Sequence, residues 1–176
     1  MNNITFNELI EKDFELLQKW LNNDFVKKWC FKSQIWTYDK IYNMFAPCVL
    51  KQIPIYSFTI LYNEIKIGYI QKAFLKDFPD YYDWLKIEGK AINISLMFIG
   101  EKDYIHKGLG SIIIKEFLKE HVFNNSSIDK CIICPEPNNI IAIKSYEKAG
   151  YKYTKTIQIP GKGEPYYVME LQRDGK

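Results

Sequence analysis

The chain has 176 residues, of which 47% are apolar and 16% aromatic, and its formal net charge is +3. That length and composition suit one domain with a real core and exclude a disordered or fibrous chain. The lysines are scattered rather than gathered in a basic run, and no segment reads as a signal peptide or a membrane span, so neither nucleic acid nor a membrane is an expected partner; the expected location is the cytoplasm, and the expected state a monomer or homodimer.

In chain order, "EKDFELLQKWLNND" places Phe14, Leu17 and Leu21 on one face with Leu16 and Trp20 beside it, which is helical spacing. Thr37 is suited to cap a second short helix carrying Ile41, Met44 and Phe45. "IYSFTILY" and "IKIGYIQKAF" flank Asn63-Glu64 and read as an antiparallel hairpin. "LKDFPDYYDWLKIEGK" is acidic, aromatic and broken by a proline, an ordered loop or short helix. Next come a strand in "AINISLMFI", a helix in "GLGSIIIKEFLKEHVF" and a strand in "KCIICP". "NNIIAIKSYEKAG" is a helix stopped by Gly150, and "YKYTKTIQI" and "EPYYVMELQ" are closing strands around the turn "PGKG". The pattern predicts an α/β or α+β single domain over 1–176 with a mixed sheet.

Four cysteines are present, and Cys131 and Cys134 form a C-x-x-C. They lie in a β-branched run, where positions three apart face opposite sides, so the thiols are not expected to converge. Cys30 and Cys48 are isolated, and a structural zinc site needs a second suitably spaced pair. No metal is expected, and buried thiols in a reducing compartment are the reading preferred.

The stretch with most chemical content is "MFIGEKDYIHKGLGSIIIKEFL" at 97–118. A strand ends at Gly100, a polar loop follows, and Gly108 and Gly110 open a helix at once. Helix N-termini carry unpaired N–H groups and partial positive charge, and glycine lets an anion approach the backbone. The loop "HKGLGS" therefore reads as a cradle for a pyrophosphate, formed by Gly108, Leu109, Gly110 and Ser111 with His106 and Lys107 adding charge. It is neither a P-loop, since Ser111 follows Gly110 where a lysine is required, nor a dinucleotide fingerprint, since Ile113 stands at the third glycine.

Together with the downstream "PEPNNIIAIKSYEKAGYKY", this stretch resembles the GNAT superfamily of N-acetyltransferases. The second motif is Asn139, Ala142 and Tyr146, running on into "EKAGY". Ile105 stands where that family usually has Gln or Arg, but the cradle acts through backbone amides. The resemblance covers roughly residues 5–172 and extends to the aminoglycoside 6'-N-acetyltransferases. It implies a mixed, mostly antiparallel sheet flanked by helices, with a central splayed pair of parallel strands. It also implies acetyl-CoA as the cofactor, bound by the loop, by the backbone of Met97, Phe98 and Ile99, and by Asn139, Ala142 and Tyr146.

The same resemblance places Tyr146 as the acid that protonates the departing thiolate. Taken alone, Tyr146 reads as well as a core tyrosine, and Asn139 as a helix cap. Glu101, the carboxylate nearest in sequence to the strand end, is the candidate base, with a loop residue of no catalytic contact as its plainer reading; direct attack with proton loss to water needs no dedicated base. On the acceptor side, Leu96 and Cys134 stand where relatives carry aspartates, so neither position can hold a charge against a cationic amine. The loop acids Asp77, Asp80, Asp83 and Glu88 are candidate replacements, and a solvated loop face explains them equally well. Tyr81, in an aromatic cluster with Phe78, Tyr82 and Trp84, either roofs the acceptor or anchors the loop. The expected activity is acetyl transfer to a small-molecule amine, such as an aminoglycoside 6'-amine. A protein, polyamine or siderophore-type acceptor, or a non-catalytic acyl-CoA-binding module, are the alternatives.

Overall fold

The computed structural model describes residues 3–32, 34–161 and 163–173, so Lys162 of the expected "PGKG" turn lies outside the described residues. The chain runs β1 (Ile4–Glu8), α1 (Phe14–Leu21), α2 (Asp24–Lys27), α3 (Tyr38–Val49), β2 (Ile55–Tyr62), β3 (Ile65–Phe74), α4 (Pro79–Leu85), β4 (Ala91–Ile99), α5 (Leu109–Phe117), β5 (Lys130–Ile133), α6 (Ile140–Ala149), β6 (Lys152–Ile157) and β7 (Tyr166–Gln172). The strands hydrogen-bond in the order β1-β2-β3-β4-β5-β7-β6. β1–β2, β5–β7 and β6–β7 are antiparallel. β4 and β5 are parallel, from Ala91 opposite Lys130 to Ile94 opposite Ile133. Their pairing stops there while β4 continues to Ile99, which is the splay expected of the central pair.

The chain forms two compact units, the first built from Met1–Lys72 with Leu96–Lys107. In it, the helical periodicity of α1 buries Phe14, Leu17, Trp20 and Leu21 completely, against Ile41 and Phe45 of α3 and Tyr69 and Phe98 of the strands. Each such side chain taken from water stabilises the fold by about 1.5–3 kcal/mol. Thr37 caps α3 as expected, its Oγ1 accepting from Lys40 N at 3.4 Å. The hairpin turn is made by Asn63 and Glu64, both with positive φ (47° and 68°), the conformation of a two-residue hairpin loop. Two glycines are fixed by close packing. A Cβ on Gly68 would lie 2.3 Å from the carbonyl oxygen of Phe98, and one on Gly100 would lie 2.1 Å from the Trp20 ring.

The second unit is Ala73–Ser95 with Gly108–Lys176. Its cluster of Leu75, Leu85, Ile87, Ala91, Ile132 and Val168 has Tyr81, Tyr82, Cys134 and Ile157 packed against it. The segment after β3 is a short helix, α4, with Pro79 in its first turn, where the missing N–H is harmless. α5 continues as a π-helical turn over Leu118–Val122. α6 ends on Gly150 at φ 105°, where Gly150 N donates to Glu147 O at 2.9 Å and Tyr151 N to Tyr146 O at 3.0 Å, the paired bonds of a Schellman stop.

Candidate functional site

In the first unit, β4 alternates. Phe98 points into the core, edge-on to Trp20 (centroids 6.3 Å, 81°) and stacked on Tyr69 (5.7 Å, 28°). Leu96 packs against the same apolar cluster and is part of a hydrophobic wall. Met97 and Ile99, half-buried, alternate to the opposite face.

Gly100 and Glu101 follow at the strand end, and their N–H groups donate to Ile67 O at 2.7 and 3.2 Å. The Glu101 carboxylate is already engaged. Its Oε1 accepts from Lys19 Nζ at 2.7 Å and from Trp20 Nε1 at 2.8 Å, while Asn23 Nδ2 donates to Gly100 O at 2.9 Å. The Lys19 hydrogen bond above all, with help from Trp20, holds the Glu101 carboxyl below the usual carboxylate range. A carboxylate stabilised in this way is a weak proton acceptor, so Glu101 reads as the clasp between α1 and the strand end. His106 and Lys107 are exposed, His106 with φ 60° and Lys107 with its Nζ 5.7 Å from the Tyr104 ring.

The second unit supplies the glycine turn and the second motif. Gly108 caps α5 with φ 73°, a backbone that disfavours any side chain, and the space where its Cβ would stand is open to 4 Å. Gly110 serves differently: its Cβ would meet Ser145 Oγ of α6 at 3.2 Å, so this glycine brings α5 close to α6. Leu109 is buried and anchors the turn. Ser111 Oγ donates to Gly108 O at 3.3 Å. The first N–H groups of α5 are those a helix leaves unpaired, and they offer a phosphate both donors and partial positive charge.

Asn139 caps α6, its Oδ1 accepting from Ala142 N at 3.3 Å. One further turn along, Tyr146 is half-buried with its ring 6.1 Å from that of Tyr151, which is 2% exposed. Burial raises the Tyr151 hydroxyl well above the usual phenol value, with the neighbouring Cys131 adding to the effect. Cys131 thus looks toward the Tyr146–Tyr151 pair. Cys134, three residues on, looks toward Tyr81, and burial pushes its thiol up to about 11. No disulfide joins the four cysteines, and the described residues contain no group of three potential metal ligands.

Of the acceptor-side residues expected from the sequence, Tyr81 and Cys134 come together, whereas Asp80 and Asp83 of α4 face solvent. The sequence reading did not single out Lys19 or Trp20 as partners of Glu101, nor Tyr151, nor Asn93. The last carried a signal: a lone amide in the apolar run "AINISLMFI", at a position 4% exposed.

Comparison with known proteins agrees with this geometry. Residues 9–159 match the family model described as an acetyltransferase (GNAT) domain. The aminoglycoside N(6')-acetyltransferase type 1 of Klebsiella pneumoniae is 26% identical over 172 residues, covering 97% of this chain and 85% of that protein. A kanamycin resistance protein of Rhizobium radiobacter is 36% identical over 66 residues, 38% of this chain and 60% of that protein. Among solved structures, aminoglycoside acetyltransferase AAC(6')-Ib in complex with coenzyme A and kanamycin superposes with a TM-score of 0.84 at 26% identity, covering 97% of this chain and 95% of that one.

Proposed function

The chain belongs to the GNAT acetyltransferase family, and from that premise we propose that it transfers the acetyl group of acetyl-CoA to a primary amine of a small molecule, with the 6'-amine of an aminoglycoside as the leading acceptor. The observation that carries this is the pairing of an open, left-handed Gly108 turn at the start of α5 with an Asn139-capped α6 bearing Tyr146. The relatives named for aminoglycoside acetylation, matched over nearly the whole chain, support the choice of acceptor. The family match runs through both units, which supports reading 1–176 as one acetyltransferase domain.

In this reading the N–H groups of Gly108 to Ser111 hold the pyrophosphate, with His106 and Lys107 beside it. The backbone of Met97, Phe98 and Ile99 holds the pantetheine arm and donates to the thioester oxygen as charge develops there. The neutral amine attacks the thioester carbon, a C–N bond forms, the C–S bond breaks, and the thiolate takes a proton from the Tyr146 hydroxyl, which is restored by the proton that the acylated nitrogen sheds. The ammonium loses its proton to water, since Glu101 is engaged with Lys19 and Trp20. Cysteines without disulfides suit a reducing compartment, and we place the protein in the cytoplasm with its cofactor. No helix among the described residues is long and apolar enough to cross a membrane.

The test is thiol release from acetyl-CoA against a panel of amines. Saturable release with an aminoglycoside, giving a product acetylated at the 6'-amine, is the expected result. Release only with a polyamine or a peptide amine moves the acceptor and keeps the enzyme class.

A further inference from the structure

The end of α5 away from the glycine turn borders an open cavity of about 710 Å³, a volume within the range of small-molecule sites. All of its lining residues belong to the second unit. Four are cations: Lys115 of α5, Lys119 of the π-helical turn that follows, Lys152 at the start of β6 and Arg173 just after β7. One is a carboxylate, Glu170, and it is already engaged. Its Oε2 accepts from Lys130 Nζ at 3.1 Å and from Gln172 Nε2 at 3.3 Å, and its Oε1 from Thr154 Oγ1 at 3.4 Å. Lys115, Lys119 and Lys152 are exposed, and none of them is in an ion pair among the described residues. Arg173 is held by backbone carbonyls instead. Its Nε donates to Ile128 O at 2.7 Å, its Nη1 to Phe123 O at 2.9 Å and its Nη2 to Asn125 O. The guanidinium is thus fixed at the cavity wall with no carboxylate paired to it among the described residues.

Leu118, Phe123 and Leu171 give the same cavity an apolar lining. Lys115 and Lys119 lie four residues apart on one helix face, where like charges repel. Helix C-termini attract cations, but α6, which ends at the cavity, has its last carbonyls met by the backbone bonds from Gly150 and Tyr151. The lysines are therefore not spent on capping it. The helix that carries them also widens here: Phe123 N donates to Leu118 O at 2.7 Å, the closing bond of a π-turn, a feature frequent at functional sites. Unpaired cations beside an apolar lining match a ligand with negative charge at one end and an apolar body at the other. We propose that this cavity binds a phosphorylated small molecule with an apolar or aromatic body. Lysine ammoniums meet phosphate oxygens as point charges, and a bound anion relieves the repulsion between Lys115 and Lys119. Arg173 has more N–H donors than its carbonyl partners use, so it holds some in reserve. The site stands apart from the acetyltransferase reading and would take its ligand in a chain with no turnover.

The experiment uses the full chain with excess coenzyme A, so that the glycine turn is closed to other phosphates. 1-Naphthyl phosphate is titrated into it and followed by calorimetry and by backbone amide chemical shifts, beside 1-naphthol and inorganic phosphate. The expected result is saturable one-to-one binding of the aryl phosphate, with shifts centred on Leu118, Phe123 and Leu171. Its affinity should exceed that of either fragment by about tenfold or more, since both the charge and the apolar body contribute. Lys115→Gln combined with Lys119→Gln should lower that affinity about tenfold, the scale of two charge contacts open to solvent. Lys115→Arg combined with Lys119→Arg, which keeps the charge, should retain most of it. Both lysines are exposed, and an unchanged unfolding temperature shows that each double variant is folded. Four outcomes overturn the site: no saturable binding, naphthol binding as tightly as its phosphate, shifts centred elsewhere, or a glutamine pair that binds as tightly as the wild type. Aryl phosphate that coenzyme A displaces would also overturn it, by placing the phosphate at the glycine turn.

Discussion

Glu101 and Lys19 are 82 residues apart in sequence and 2.7 Å apart in the structure. The same carboxylate oxygen takes the Trp20 indole N–H, so α1 is clasped to the end of β4 at the residue that follows Gly100. The carboxylate nearest the strand end in sequence is thereby spent on holding the fold.

Glu101→Gln is expected to leave kcat within about threefold, where loss of a working general base lowers rates by about a hundredfold or more. Its effect on stability is at most about 1 kcal/mol, because Lys19 is largely exposed. The pH dependence has a definite sign. The folded pKa of Glu101 lies below the unfolded value of 4.5, so its contribution is complete above that value and is lost as pH falls through the folded one. The stability gap between wild type and variant should be constant at neutral pH and close in acid. Denaturant titrations across that range measure it, and a gap that widens in acid contradicts the assignment.

Tyr146→Phe is expected to lower kcat by about a hundredfold with little change in coenzyme A affinity, since the ring stays and the proton goes. Steady-state rates with a saturating amine, beside a coenzyme A titration, separate the two effects. An unchanged kcat removes Tyr146 as the acid.

The two loop glycines should respond differently. Gly108→Ala forces a side chain onto a left-handed backbone, costing about 1 kcal/mol, and its Cβ enters the open space over the helix start. Gly110→Ala pushes against Ser145 Oγ of α6, and Ser145→Ala in the same chain should restore most of the loss. Coenzyme A affinity of the single and double variants reads this out. Equal rescue of both glycine variants by Ser145→Ala would show that they share one cause.

Gly100→Ala is expected to destabilise by about 1–3 kcal/mol, as overpacking does, because the new methyl collides with the Trp20 ring. Trp20→Leu, though destabilising alone, should make Gly100→Ala less harmful when the two are combined. Thermal unfolding of the four chains gives the coupling, and simple additivity contradicts the contact.

The parts legible in the sequence were those written in local periodicity. The helical spacing of Phe14, Leu17 and Leu21, the Thr37 cap, the Asn63-Glu64 turn, the Asn139 cap and the Gly150 stop all stand where residue type and spacing put them. α2 has four residues and β1 five, too short for a periodic signal to exceed chance. The contacts that give Gly100 and Glu101 their meaning reach back about eighty residues to Trp20 and Lys19, and no local pattern encodes a partner so far away. Gly100 marked only the end of a strand in the sequence, and it is small because an indole lies on it. Cys131 and Cys134 were expected to face apart and do, one toward Tyr151 and the other toward Tyr81. Asp80 and Asp83 could not be placed from composition, since an acidic loop face and a substrate-facing one read alike.

The most direct test of the central claim is thiol release from acetyl-CoA by the purified chain with kanamycin, followed by identification of the acetylated amine. The account predicts saturable release and a single product acetylated at the 6'-amine, abolished or strongly reduced by Tyr146→Phe. Tight coenzyme A binding with no thiol release from kanamycin or any other amine would contradict it and make the chain an acyl-CoA-binding module.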